Sequence, residues 1–358
     1  MLNRSASGVT LSLCLLFSTF LPAAARYSNC SSFTTNGTAA AQFNYYRFYD
    51  FRNISPDTWD NTKNATDPNN VTAGASTSDM SWSLDWIRKE GLLYPGPTVP
   101  NLMPIDYQPD KVAIRNATDS SDDSTNTALG FLSSRQVTTS QQSSGIQFNE
   151  DSILYLSLRL KARLTGAPGA CAAFFTYEND TQEADIELLT RDEEHVVGFN
   201  TQPSIDIHGN YINGSHWNMT LPNHLTREDW VTYRMDWVED RVAWYIDAVP
   251  MGESVHSVPV EPSHLFFTMW GNGGTWTNNM TLGDSALLEI QWIEVAYNLS
   301  GASPTTDSTF GSCNLDETDV KGTWDPYIFS PPHDDNTSAG YQLGLSKLPW
   351  SPIRTRSL

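Results

Sequence analysis

The sequence is poor in basic residues: 21 Lys and Arg compare with 41 Asp and Glu, a formal net charge of −20 over 358 residues. This charge argues against nucleic acid and against an anionic membrane surface as partners, because both attract proteins through Lys and Arg. The sequence contains neither a Cys-X-X-Cys pair nor a His-Glu-X-X-His segment, so no metal ligands are predicted. Aromatic residues, by contrast, reach 11% and include 12 Trp, which suits neutral ligands with flat apolar faces, such as sugars.

Residues 1–25 have the features of a secretory signal peptide. Arg4 is the only charge before residue 26, an apolar stretch runs from Leu11 to Leu21, and three Ala residues at 23–25 offer a cleavage site. The remaining chain has no apolar run of about 18 residues that would predict a membrane span. Twelve of its 24 Asn residues begin an Asn-X-Ser/Thr triplet, against roughly five expected by chance. The sequence therefore predicts a secreted, extracellular glycoprotein, and we expect a monomer.

Three cysteines remain once Cys14 leaves with the signal peptide. Cys171 lies in an apolar segment, residues 170–175, that is typical of a buried strand, so we predict a free thiol in the core. One disulfide suits an oxidising compartment. We therefore predict that Cys30 pairs with Cys313, which would join the two ends of the chain.

The hydrophobic pattern is that of strands. From 153 to 164, Leu or Ala alternates with polar residues, which predicts a long strand with one face in a core. Similar patterns occur at 230–237, 241–246, 264–270 and 286–297. Many strands and few helical periods indicate an all-β sandwich of two sheets. We predict one domain over 26–300 with a long polar loop at about 61–81, and an extended or partly disordered tail over 301–358.

The most informative segment is 181–190. Read as a strand, it places Glu183, Asp185 and Glu187 on one face, and we call these three residues the carboxylate row. Like charges repel, so a purely structural sheet tends to avoid such a row. Glycosidic cleavage with retention requires two carboxyl groups about 5 Å apart, one a nucleophile and one a general acid. The row is also compatible with a solvent-facing, charged edge of a sheet.

The segment Glu183-Ala184-Asp185-Ile186-Glu187 resembles the Glu-X-Asp-X-Glu signature of glycoside hydrolase family 16. Further segments resemble fungal members of that family in the same order along the chain: 48–52, 166–175, 200–204, 229–237, 241–247, 266–276 and 290–295. The resemblance implies a jelly-roll sandwich of two curved antiparallel sheets with a sugar cleft on the concave face. It implies that Glu183 is the nucleophile, Asp185 the assisting carboxylate and Glu187 the general acid/base. The sequence departs from the family pattern at Gln182, at 188–190 and at 170–171, where other members often have an acidic residue, an aromatic or Leu followed by Gly, and a Trp.

Two of the Trp residues are candidates for stacking on sugar rings, namely Trp270 and Trp276. We interpret Trp237, Trp244 and Trp292 as core residues because they alternate within apolar strands. His195 and His208 are interpreted as solvated loop residues, although either could donate to a sugar hydroxyl.

The resemblance favours a secreted, endo-acting hydrolase that cleaves a β-1,3- or mixed β-1,3/1,4-glucan with retention. A cell-wall β-glucan transglycosylase, which passes the same covalent intermediate to another sugar, remains open. A lectin-like protein that binds carbohydrate without turnover is a third possibility, although a lectin has no need of three neighbouring carboxylates. A polysaccharide is the expected partner and no cofactor is required. Some relatives bind a structural calcium ion, for which we assign no ligands here.

Overall fold

The computed structural model describes residues 30–52, 85–96, 102–117, 127–301 and 311–317. The predicted signal peptide (1–25) and the predicted long loop (61–81) lie outside these residues, as does most of the predicted tail (301–358). In chain order the strands are β1 (Cys30–Thr34), β2 (Gln42–Phe43), β3 (Tyr45–Asp50), β4 (Trp86–Arg88), β5 (Gly91–Leu93), β6 (Ile105–Tyr107), β7 (Val112–Asn116), β8 (Thr127–Ser134), β9 (Gln141–Phe148), β10 (Ile153–Gly166), β11 (Cys171–Asn179), β12 (Gln182–Leu189), β13 (Val196–Gln202), β14 (His216–Thr220), β15 (Val231–Val238), β16 (Arg241–Ile246), β17 (Val249–Ser254), β18 (His264–Trp270), β19 (Ser285–Leu299) and β20 (Gly311–Asn314). Short 3-10 turns occur at Pro109–Lys111 and Pro222–His224. No helix in the described part of the chain is long and apolar enough to cross a membrane.

The strands form two antiparallel sheets that pack face to face. We call one the front sheet, with the order β4-β9-β18-β11-β12-β13-β14. We call the other the back sheet, with the order β17-β16-β15-β10-β19. Strand β19 continues this sheet by pairing with β3 along one half and with β8 along the other, and β7 pairs with β8. Strand β9 links the two sheets, because it also pairs with β8 and, in parallel, with β6.

The core lies between the two sheets, where alternate residues of each strand meet. Phe174 of the front sheet lies 5.9 Å from Tyr233 of the back sheet between ring centroids, and Phe199 stacks on Trp244 at 5.3 Å. This arrangement confirms the predicted all-β fold, a sandwich of two curved antiparallel sheets.

The long strand predicted over 153–164 is β10, and its alternation holds except near its start. Leu156, Leu158 and Leu160 are fully buried in the core. Leu154 is only partly buried, because the pairing of β10 with β19 is irregular between Ile153 and Leu156. Tyr155 has a φ of 73° at this irregularity.

The outer face of the back sheet is covered by a third, three-stranded sheet that joins the first and last described segments. In this terminal sheet, β1 pairs antiparallel with β2 and parallel with β20. The predicted disulfide between Cys30 and Cys313 is present and links β1 to β20. Trp292 is buried beside Phe48 under this sheet. The interpretation of Trp292 as buried is therefore right, but it lies outside the core between the sheets that contains Trp237 and Trp244.

Burial under the terminal sheet changes the environment of the polar residues of β10. Arg159 is 1% exposed, although the alternation places it on the polar face. Its guanidinium contacts Glu294 at 3.4 Å and Asp316 at 3.2 Å, and it donates to the backbone carbonyl of Leu315. Arg234 also contacts Asp316, at 2.7 Å. Ionic groups therefore connect the terminal segment 311–317 to the back sheet.

Candidate active site

The carboxylate row lies in the middle of the front sheet. Strand β12 runs between β11 and β13, and its Ala184, Ile186 and Leu188 are fully buried in the core. The row therefore lies on the opposite face, which we call the front face. Its side chains are nearly buried there: Glu183 is 9% exposed, Asp185 2% and Glu187 8%. The interpretation of the row as a solvent-facing edge is wrong, because β12 is a central strand.

The residues beside the row follow from the strand register. Glu183 lies between Tyr177 and Gln202, and Asp185 lies between Phe175 and Asn200. The neighbours of Glu187 are the small residues Ala173 and Gly198. Small neighbours leave space around this carboxyl group for side chains that reach it from other positions.

Donor atoms of Asn200, Trp276 and Cys171 contact the carboxyl group of Glu187. The Nδ2 amide of Asn200 donates to Oε2 at 2.8 Å, and the indole Nε1 of Trp276 donates to Oε1 at 3.1 Å. The thiol of Cys171 lies 3.6 Å from the same Oε1 and is a weak donor. Asn200 in turn contacts Nδ1 of His216 through its Oδ1. The carboxyl group of Glu187 is thus contacted from three different segments of the chain, and His216 from a fourth segment contacts Asn200.

The two candidate tryptophans both lie on the front side and belong to one cluster of buried residues. Trp276, in the loop after β18, is 9% exposed, and the guanidinium of Arg191 lies 5.8 Å from its ring centroid. Trp270 is 5% exposed and lies opposite Cys171 in an apolar cluster that also contains Phe266. Of the two, Trp276 is the one with a hydrogen bond to the row.

Cys171 lies on the front side, close to the carboxylate row. It forms no disulfide and is buried, as predicted. However, its register in β11 places it on the front face with Ala173 and Phe175, whereas Ala172 and Phe174 point into the core. Its thiol is therefore beside Glu187, in the cluster of buried residues on the front face.

Beyond β11 the front face is largely apolar and includes a half-buried lysine. The ring of Phe266 stacks on Phe175 at 5.2 Å. The ammonium group of Lys89 lies 4.5 Å from the centroid of Phe266 and 5.4 Å from that of Tyr107, within reach of cation–π attraction. Burial holds the pKa of Lys89 well below its ordinary value, and burial raises the pKa of Tyr107. The front face therefore has a polar half at β12–β14 and an apolar half at β11 and β18, against which Tyr107 of β6 packs.

The remaining sequence candidates lie away from these contacts. His195 and His208 are exposed in loops, as interpreted. Asn200 and His216 were not among the candidates. Asn200 begins the segment 200–204 that resembles the family, which is a signal for its importance, whereas no sequence feature identifies His216. Within the described ranges, no group of three or more His, Cys, Asp or Glu is arranged to hold a metal ion.

The arrangement supports acid–base chemistry on a neutral ligand. Buried carboxylates alternate along one strand, and the carboxyl group at one end is fixed by neutral donors, Asn200 and Trp276. Such fixed donors and acceptors can orient a proton toward a bound substrate without reorganising during the reaction. Aromatic rings nearby offer apolar surface to a sugar.

Comparison with known proteins gives one family. Residues 110–294 match the model of the family described as glycosyl hydrolases family 16. Among solved structures, a prokaryotic β-1,3-1,4-glucanase (lichenase) from a mouse hindgut metagenome is 17% identical, with 60% of this chain and 92% of that chain covered and a TM-score of 0.45. A β-glucanase from Bacillus licheniformis is 17% identical, with coverages of 60% and 91% and a TM-score of 0.46. The laminarinase catalytic domain from Thermotoga maritima MSB8 is 16% identical, with coverages of 64% and 94% and a TM-score of 0.46. A search of curated proteins gives no match to this chain.

Proposed function

Because the chain belongs to glycosyl hydrolase family 16, we propose that it is a secreted, endo-acting hydrolase of β-1,3- or mixed β-1,3/1,4-glucan that retains the anomeric configuration. The observation that carries the proposal is the pair of hydrogen bonds to the carboxyl group of Glu187. Its two carboxyl oxygens meet the donors of Asn200 and Trp276, on the same buried face as Glu183 and Asp185. A lectin has no use for a carboxyl group oriented in this way.

In the first step of the proposed reaction, Glu187 donates its proton to the glycosidic oxygen. The bond between the anomeric carbon and that oxygen breaks while a carboxylate oxygen of Glu183 bonds to the anomeric carbon. The product is a covalent glycosyl ester on Glu183, and the shortened chain leaves as an alcohol. Asp185 lies between the two Glu residues on the strand. We assign it the role of supporting the nucleophile and disfavouring a second negative charge at Glu187.

In the second step, Glu187 is the general base. It accepts a proton from a water molecule, whose oxygen attacks the anomeric carbon and releases Glu183 as a carboxylate. Two inversions at the same carbon give net retention. A transglycosylase would differ only here, where the hydroxyl group of a second sugar would replace water.

The test is the release of reducing sugars from laminarin, mixed-linkage β-glucan and agarose by the secreted protein. We expect release from laminarin or mixed-linkage glucan, and loss of at least about a thousandfold in Glu183→Gln, which removes the nucleophile. Glu178→Gln is the matched control, because Glu178 is an exposed carboxylate in the neighbouring strand β11. It should retain wild-type activity.

Other results would identify the alternatives. New, longer products in the presence of an acceptor oligosaccharide, with little release in water, would indicate a transglycosylase. Binding of the glucan by a folded protein that releases no sugar and transfers none would indicate a lectin. Equal release by Glu183→Gln and wild type would contradict the proposed nucleophile.

A further inference from the structure

His216 lies on the front face, one strand beyond Asn200. The two residues are direct register partners in the pairing of β13 with β14. Nδ1 of His216 is within hydrogen-bond distance of Oδ1 of Asn200. The imidazole also stacks on Tyr211, with centroids 4.6 Å apart and planes 9° apart, and its centroid lies 6.3 Å from that of Trp276 in an edge-on arrangement. The ring is thus held on one side by an aromatic stack and on its Nδ1 edge by an amide oxygen.

The contact with His216 determines which end of the Asn200 amide faces Glu187. An amide has a donor end and an acceptor end, and rotation by half a turn exchanges them. In the observed orientation, Nδ2 donates to Oε2 of Glu187 at 2.8 Å. In the rotated orientation, Oδ1 would face a carboxyl oxygen, and Nδ2 would face Nδ1 of His216. A proton on Nδ1 of His216 favours the observed orientation, because it can be donated only to an oxygen.

We propose that His216 is a positioning residue for the hydrolysis: through Oδ1 it fixes the Asn200 amide so that its donor end faces Glu187. This inference rests on the proposed role of Glu187 as general acid/base. With the amide fixed, Asn200 presents no acceptor to Glu187, so the amide does not compete with the glycosidic oxygen for the proton of the acid. In the second step the same amide donor stays on Oε2 while Glu187 accepts the proton of water.

A purely structural role for His216 would come from the stack with Tyr211. Tyr211 belongs to a short hairpin between β13 and β14, in which it bridges to Ile205. Three variants separate the roles. His216→Phe keeps a flat ring for the stack and loses the donor, whereas His216→Asn loses the ring and keeps an amide nitrogen near the position of Nδ1. Tyr211→Ala removes the stack and leaves the histidine.

The experiment measures kcat and KM of the full chain on two substrates. One is the glucan that the wild type hydrolyses, and the other is a dinitrophenyl β-glycoside of a matching oligosaccharide, whose leaving group departs without protonation. We expect His216→Phe to lose about tenfold in kcat on the glucan, with KM nearly unchanged. A loss of this size corresponds to one hydrogen bond to a charged group, here the bond from the Asn200 amide to Glu187. The loss on the dinitrophenyl substrate should be several times smaller. His216→Asn should recover most of the glucan activity, and Tyr211→Ala should leave the ratio of the two activities at the wild-type value.

Equal losses on both substrates in His216→Phe, or no recovery in His216→Asn, would overturn the positioning role. If His216→Phe is not obtained folded by circular dichroism, His216→Leu replaces it with the same expectations. Glu187→Gln in the same assay tests the proposed function separately. If it keeps glucan activity, Glu187 is not the acid and both proposals fail. If it loses glucan activity while His216→Phe does not, only the role of His216 is wrong.

Discussion

The indole Nε1 of Trp276 lies 3.1 Å from Oε1 of Glu187, although 89 residues separate the two in the chain. The sequence suggested Trp276 as a surface on which a sugar ring stacks. The contact with Glu187 gives Trp276 a second property, because the same side chain donates a hydrogen bond to the proposed general acid/base. These two properties predict different kinetic effects, so substitution of Trp276 distinguishes them.

We predict that Trp276→Phe lowers kcat on the glucan substrate about tenfold, since it keeps an apolar ring and removes a donor to a charged group. KM should change little. The measurement is steady-state kinetics beside Trp230→Phe, a matched control at a ring that packs on Arg163 of the back sheet. A rise in KM at constant kcat would instead indicate that Trp276 acts through stacking alone.

The terminal segment provides a second prediction through Asp316. Its carboxylate accepts from the backbone amide of Asn36 at 2.6 Å and contacts both Arg159 and Arg234. Asp316→Ala leaves two buried guanidinium groups without this partner, so we expect the free energy of unfolding to fall by about 3 kcal/mol. Denaturant unfolding measures this change.

The matched control for this prediction is Asp240→Ala. Asp240 also forms an ion pair with an arginine, Arg241, but on the exposed turn between β15 and β16. Exposed pairs contribute little to stability, so this variant should unfold like the wild type. Equal effects of the two substitutions would show that Asp316 acts as a surface charge.

The disulfide between Cys30 and Cys313 provides the third prediction. It closes a loop with a sequence separation of 283 residues. Cross-linking so long a loop lowers the entropy of the unfolded chain, and replacing both cysteines by serine should cost at most about 5 kcal/mol. Unfolding of the double variant, compared with Cys171→Ser, measures the cost. At a temperature where the wild type and the double variant are both folded, the double variant should retain its activity, because the disulfide lies on the back side.

The carboxylate row and the main strands could be predicted because each depends on alternation within one segment. Strands β16 and β18 begin and end as the pattern predicts, at Arg241–Ile246 and His264–Trp270. The pairing of Cys30 with Cys313 followed from the apolar surroundings of the third cysteine. None of these inferences requires knowledge of which strands are neighbours.

The partners of Glu187 could not be predicted, because they depend on the register between strands. Strand β11 is apolar on both faces, because one face packs in the core and the other lies in the apolar half of the front face. Alternation therefore does not reveal which face carries Cys171. Asn200 and His216 meet only because β13 and β14 pair at that register. Arg159 is buried because segments distant in sequence, 30–34 and 311–317, cover it.

The last prediction concerns stability at alkaline pH. Burial raises the pKa of Tyr49, Tyr107, Tyr233 and Tyr297 above the ordinary value, which is about 10 in an unfolded chain. Above that pH the unfolded chain loses phenolic protons that the folded protein keeps. The unfolded state then binds fewer protons, so the free energy of unfolding falls as pH rises.

Each such tyrosine should contribute a slope of up to about 1.4 kcal/mol per pH unit above pH 10. Tyr233→Phe tests this with one group, because its hydroxyl is buried and has no hydrogen-bond partner among the described residues. We expect the variant to be at least as stable as the wild type near neutral pH and to have a shallower alkaline slope by that amount. Denaturant unfolding at a series of pH values, with tyrosinate absorbance recorded in parallel, measures both. An unchanged slope would mean that the Tyr233 hydroxyl ionises equally in the folded and unfolded states.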